Sequence, residues 1–176
     1  MSHFHADHVG GIFTLAGEVI FPNAMLHFPE VEWDYVQNTT GTPMDDQIGL
    51  ALAKSAPYVA ADQFATYAMD AEVLPGIFAM HTPGHTPGHI AMRLSSGDAQ
   101  LVLTSDTATH PILALNDPDW AFAFDADPAL ASETRRTLFG MLADEQLPFL
   151  SYHFPFPGVG YVARQGDGFE YLPTEL

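Results

Sequence analysis

The sequence predicts a layered α/β fold in a single domain, 1–176. Three observations carry this: apolar runs rich in β-formers alternate with helical periodicity, no repeat or low-complexity tract interrupts them, and 47% hydrophobic with 12% aromatic residues in a 176-residue chain supply a core. Residues 24–28 are a short apolar run that suits a buried strand. The pattern then turns helical over 29–69, an apparent helical insertion, with Trp33, Tyr35 and Val36 in one segment, Ile48, Leu50, Leu52 and Ala53 in the next, and Pro43 and Pro57 as punctuation. Strands are expected over 73–80, 89–94 and 100–104, the last two joined by a Ser95-Ser96-Gly97-Asp98 turn. Asp127 can cap a helix that has Pro128 at its first position and runs to about Leu142. A strand over 147–152 and a hairpin of 160–164 with 169–172 complete the order.

Charge restricts the partners. With 5 Lys plus Arg against 22 Asp plus Glu the formal net charge is −17, and such a surface repels phosphate backbones and anionic lipid heads. No nucleic acid and no membrane are expected; small neutral substrates and divalent cations remain. The absence of Cys removes disulfides, thiolate zinc sites and cysteine nucleophiles together. No apolar run approaches the ~20 residues of a membrane helix. The first residues have neither the basic start nor the apolar centre of a signal peptide, so a cytoplasmic location is expected.

The nine histidines are grouped. His3, His5, Asp7 and His8 form H-x-H-x-D-H, followed by Gly10-Gly11. Neutral imidazoles and a carboxylate are ligands of Zn²⁺ and similar borderline cations, and four donors so close together suit two adjacent metals better than one. The second group is His81-Thr82-Pro83-Gly84-His85-Thr86-Pro87-Gly88-His89, in which two Thr-Pro-Gly turns hold His85 on a stiff loop between strands. His85 is the preferred ligand; His81 and His89, at strand edges, suit ordering or packing roles. Asp106 follows a buried strand, where a carboxylate can bridge two cations. His153, at a strand end before Phe154-Pro155-Phe156-Pro157-Gly158, can complete a second site. His27 fits a structural role and His110 is left open.

Together these segments, His3 to Gly11, Thr82 to Gly88, Ser105-Asp106 and His153, resemble in order and spacing the metal motifs of metallo-β-lactamase-fold hydrolases. The resemblance implies a four-layer αββα sandwich with a dinuclear metal centre at one edge. Carried over, His3, His5 and His85 would hold one metal, Asp7, His8 and His153 the other, and Asp106 would bridge them. The cofactors implied are two divalent ions, Zn first, with Mn, Fe or Co as alternatives. The stretch His153 to Gly158 looks most like the branch of methyl parathion hydrolase and quorum-quenching N-acyl homoserine lactonases. Lactonases of that type carry Tyr three residues after the bridging Asp, where this chain has Thr109. His5 stands where oxygen-activating iron members carry Glu.

The expected reaction is hydrolysis of an ester, lactone or phosphotriester bond in a small hydrophobic substrate by a metal-bound hydroxide. Asp7 is also given a catalytic role, orienting the nucleophile or passing a proton to the leaving group, and Phe154 and Phe156 are the expected substrate contacts. The family normally begins well before its first metal motif, whereas Met1 stands two residues before His3, so the sandwich is expected to be N-terminally truncated. Association into a homodimer would then cover an exposed sheet edge. The competing expectation is a catalytically silent metal-binding fragment.

Overall fold

The computed structural model describes residues 1–174. The chain divides into two compact units, Met1–Met69 and Asp70–Leu176. In the first, the helical turn α1 (Ala6–Val9) precedes strand β1 (Leu26–Pro29), helices α2 (Glu30–Asn38) and α3 (Asp45–Ala60), and strand β2 (Phe64–Tyr67). Helices fill much of the expected insertion, but 64–67 is extended and pairs in parallel with β1, Leu26 opposite Phe64 and Pro29 opposite Tyr67. A local helical pattern cannot reveal this, because the partner of β2 lies nearly forty residues earlier. Pro57 does not end α3 either; it lies inside the helix, which continues to Ala60. The core of this unit is Phe4, Val9, Phe28, Val36, Ile48 and Ala51. Trp33 and Phe64 pack here too, their rings 4.5 Å apart, while Tyr67 donates a hydrogen bond to the Met1 carbonyl at 2.7 Å.

The second unit is a seven-stranded mixed sheet in the order β3 (Glu72–Leu74), β4 (Ile77–His81), β5 (Ile90–Ser96), β6 (Ala99–Leu103), β7 (Phe149–Leu150), β8 (Val159–Gln165) and β9 (Gly168–Pro173). All neighbours are antiparallel except β6 and β7. The single strand expected over 73–80 is two, because Pro75-Gly76 turns the chain back and Gly76 takes a positive φ of 78°. Between β6 and β7 run the short helix α4 (Leu113–Asn116) and the long helix α5 (Pro128–Glu145). The Asp127 carboxylate accepts from the Leu130 amide at 3.0 Å and Pro128 occupies the first turn, as the capping signal requires.

Strand register places Ala91, Val102, Phe149, Val162 and Phe169 on one sheet face. Leu138, Phe139 and Leu142 of α5 and Ala114 and Leu115 of α4 cover that face, which makes the unit layered. The sheet thereby fixes the ends of β4, β6 and β7, from which three loops leave. One of them is locked against α5: a Cβ on Gly84 would lie 2.2 Å from the Ala131 amide nitrogen, and Gly84 has φ +123°. Replacing Gly84 with Ala therefore forces α5 away or distorts the loop, and is expected to cost about 3 kcal/mol, read as a lower urea midpoint at unchanged m-value.

Candidate metal centre

The H-x-H-x-D-H segment is shaped by the apolar residue within it. Phe4 is 1% exposed and packs with Phe28, Val36 and Ile48, and its ring lies 5.7 Å from that of Tyr35. Its neighbours His3 and His5 bring Nε2 and Nδ1 to 3.1 Å from one another. At His5 the backbone passes from extended to helical, and the His5 carbonyl accepts from the amides of His8 and Val9 at 2.9 and 3.0 Å. That turn brings the His8 ring to 4.2 Å from the His3 ring and Asp7 to 3.4 Å from His8. Two helices hold the segment by side chains: Glu32 of α2 accepts from the Phe4 amide at 2.9 Å and Gln47 of α3 from the Ala6 amide at 2.8 Å. His3 and His5 are buried, whereas the Asp7 side chain is 45% exposed.

In the second unit, His85, Asp106 and His153 come from three different strand ends and meet at one carboxylate. Asp106 Oδ2 lies 3.4 Å from His85 Nε2 and 3.1 Å from His153 Nε2. The His85 loop is closed by Thr82 donating to the His89 carbonyl, and tied to α5 and its approach by Asp127 donating to the Gly84 carbonyl and Thr134 Oγ1 to the Pro83 carbonyl. Asp106 stands in a tight turn, Ser105–Thr107, and its amide donates to His89 Nε2 at 3.1 Å. Because Nε2 accepts there, a neutral His89 carries its proton on Nδ1, which lies 3.0 Å from the Thr82 carbonyl. Ser151 Oγ donates to the Ala108 carbonyl at 3.0 Å and links the His153 loop to the Asp106 turn.

Phe154 and Phe156 part company. Phe154 is 6% exposed, its ring packed against Phe149 and Tyr171 in the core, so the expected substrate contact gives way to a packing role that steadies His153. Phe156 is 90% exposed. Two further histidines serve the backbone: the His81 ring lies 3.0 Å from the Pro87 carbonyl, and His110 Nδ1 accepts from the amides of Ile112 and Leu113 at the start of α4.

Two residues of this centre were not foreseen. Asp125 Oδ1 accepts from His85 Nδ1 at 3.0 Å, and its Oδ2 accepts from the Arg135 guanidinium at 3.0 Å. Nothing local separates Asp125 from other loop acids. Arg135 does leave a trace, since it shares the inward stripe of α5 with Ala131, Leu138, Phe139 and Leu142, an apolar position for a charged residue. Burial opposes a charge on His85, but the hydrogen bonds and charges of Asp106 and Asp125 outweigh it and push the imidazole up to about 9. All four arginines are in ion pairs, with Glu145, Asp125, Asp119 and Asp144, and Lys54 lies over the Phe13 ring.

The donor chemistry fits a divalent cation of the zinc kind. An imidazole pair and a carboxylate met by two imidazoles are the nitrogen and oxygen groups such ions take, held close by elements that have their own reasons to be there. Replacing His89 with Ala removes the acceptor of the buried Asp106 amide; the expected cost is about 2 kcal/mol of stability in denaturant titration.

Residues 1–149 match the family described as the metallo-beta-lactamase superfamily. Among curated proteins, the chain is 26% identical over 134 residues to an N-acyl homoserine lactonase of Bacillus cereus, covering 76% of this chain and 47% of that protein. It is 34% identical over 91 residues to a hydroxyacylglutathione hydrolase of Aeromonas hydrophila subsp. hydrophila, covering 52% and 26%. Among solved structures, it is similar to AidC, a dizinc quorum-quenching lactonase in complex with a product, with TM-score 0.89, 25% identity and coverage of 99% of this chain and 63% of AidC. The hydrolase AbOPH matches with TM-score 0.89 and 28% identity over 99% and 63%. The chain thus spans about half the length of the curated lactonase it matches.

Proposed function

The chain belongs to the metallo-beta-lactamase superfamily, and on that premise we propose that it is a metal-dependent hydrolase of a lactone or ester bond in a small, uncharged, largely apolar substrate. The observation that carries this reading is the meeting of His85 and His153 at the Asp106 carboxylate, at 3.4 and 3.1 Å. The likeness to a dizinc lactonase over 99% of the chain supports it, as does the name of the Bacillus cereus relative. In this reading His3, His5 and His85 would hold one cation, Asp7, His8 and His153 would hold a second, and Asp106 would serve both. When bound, the cations supply Lewis acidity and acidify a water so that it is nucleophilic near neutral pH.

The chain's own residues do the rest. Asp7, the most exposed of the acidic donors, is the group that can pass a proton to the leaving oxygen, because its carboxylate keeps access to solvent. The engagement of all four arginines leaves the guanidinium groups committed to carboxylates within the chain, which favours an uncharged substrate. Apolar contact falls to the aromatic run Trp120, Phe122 and Phe124, with the Phe122 ring 6.2 Å from His85, and to the exposed Phe156. Thr109 replaces the Tyr of typical lactonases, so the ring carbonyl receives no phenol there. Zinc as the native metal and the cytoplasm as location belong to the same proposal. No helix among the described residues is long and apolar enough to cross a membrane.

The test is metal content and turnover together. About two equivalents of zinc per chain, hydrolysis of N-acyl homoserine lactones or aryl esters, and loss of turnover on chelation are expected. His85→Ala and Asp106→Ala should lower kcat/KM by at least ~100-fold, a scale typical of losing transition-state charge stabilisation. Turnover that persists after chelation would sink the reading. Phe156→Ala should raise KM for long-chain acyl substrates more than for short ones; equal effects would remove Phe156 from the substrate pocket.

A further inference from the structure

We propose that Asp125 and Arg135 are positioning residues for the metal centre: the pair sets the tautomer and ring orientation of His85 and, through the Thr107 carbonyl, the placement of the Asp106 turn. The inference rests on His85 and Asp106 being ligands and goes beyond that reading by giving a function to two residues outside the ligand set.

The geometry has three parts. The Asp125 and Arg135 side chains are 1% and 3% exposed, so each charge depends on the other for compensation. With Oδ2 taken by the Arg135 guanidinium at 3.0 Å, Asp125 turns Oδ1 to His85, where it accepts from Nδ1 at 3.0 Å. Nε2, the nitrogen that faces Asp106, is thereby reserved for a ligand. The third part is the remaining reach of Arg135. Its Nε donates to the Thr107 carbonyl at 2.9 Å, next to Asp106, and its Nη1 donates to the carbonyls of Pro118 at 2.7 Å and Trp120 at 3.1 Å. One guanidinium on α5 therefore ties the loop that carries Asp125 to the turn that carries Asp106.

Zinc affinity of the 176-residue chain, measured by competition with a chromophoric chelator, tests this beside thermal melts in chelator and in saturating zinc. Asp125→Ala, its near-isosteric companion Asp125→Asn, and Arg135→Met are expected to weaken zinc binding about 10–100-fold, with Asn milder than Ala, as for other partners of ligating histidines. The rise in Tm that zinc produces should shrink in step. Wild-type zinc affinity in these variants, with Tm lowered equally in the metal-free and zinc-loaded forms, would overturn the proposal and leave a packing role. His85→Ala separates the two levels: if it binds zinc as wild type does, the ligand reading fails and the positioning role with it, whereas weakened binding by His85→Ala alone defeats only the positioning role.

Discussion

The buried Asp125–Arg135 pair is the contact on which the geometry of the second unit turns. A carboxylate and a guanidinium removed from water are costly singly, and the cost is offset only if nearly every hydrogen-bonding position is matched. Arg135 spends its nitrogens on Asp125, Thr107, Pro118 and Trp120, and Asp125 spends its second oxygen on His85. The loop between α4 and α5 is irregular in sequence yet has little freedom, since three of its residues are fastened to one side chain.

Around that contact, the strands and the donors divide the work. The sheet face packed by α4 and α5 is almost wholly apolar, so register is set by burial, because slipping one residue would turn Ala91, Val102, Phe149 and Val162 away from the helices. Once register is set, the ends of β4, β6 and β7 are fixed, and with them the loops of His85, Asp106 and His153. His89 and Ser151 then bond across from loop to loop, to the Asp106 amide and the Ala108 carbonyl, so no donor relies on its own loop alone.

The first unit reaches a similar result more locally. Phe4 buries itself among α2 and α3, and the histidines on either side of it are carried along by the alternation of an extended backbone. Glu32 accepts from the Phe4 amide, and Gln47 from the amide of Ala6, the first residue of α1, one of those that a helix start leaves without an intrahelical partner. An apolar anchor between polar donors thus gives a short segment the rigidity that a metal centre demands.

Much of this was legible in the residues themselves. The donor types and their spacing, the Thr-Pro-Gly turns, the Asp127 cap and the strands from 90 onward follow from local chemistry, in which side-chain donors, fixed φ values and periodic apolarity act over a few residues. What local chemistry does not carry is long-range pairing and burial. The parallel pairing of β2 with β1, the burial of Phe154 against Phe149 and Tyr171, and the assignment of Asp125 to His85 forty positions away all depend on which distant surfaces meet. The sequence by itself determined the chemistry of the donors; tertiary structure decided their supporting partners, because a hydrogen bond or a packed ring is made between neighbours in space and only packing chooses those neighbours.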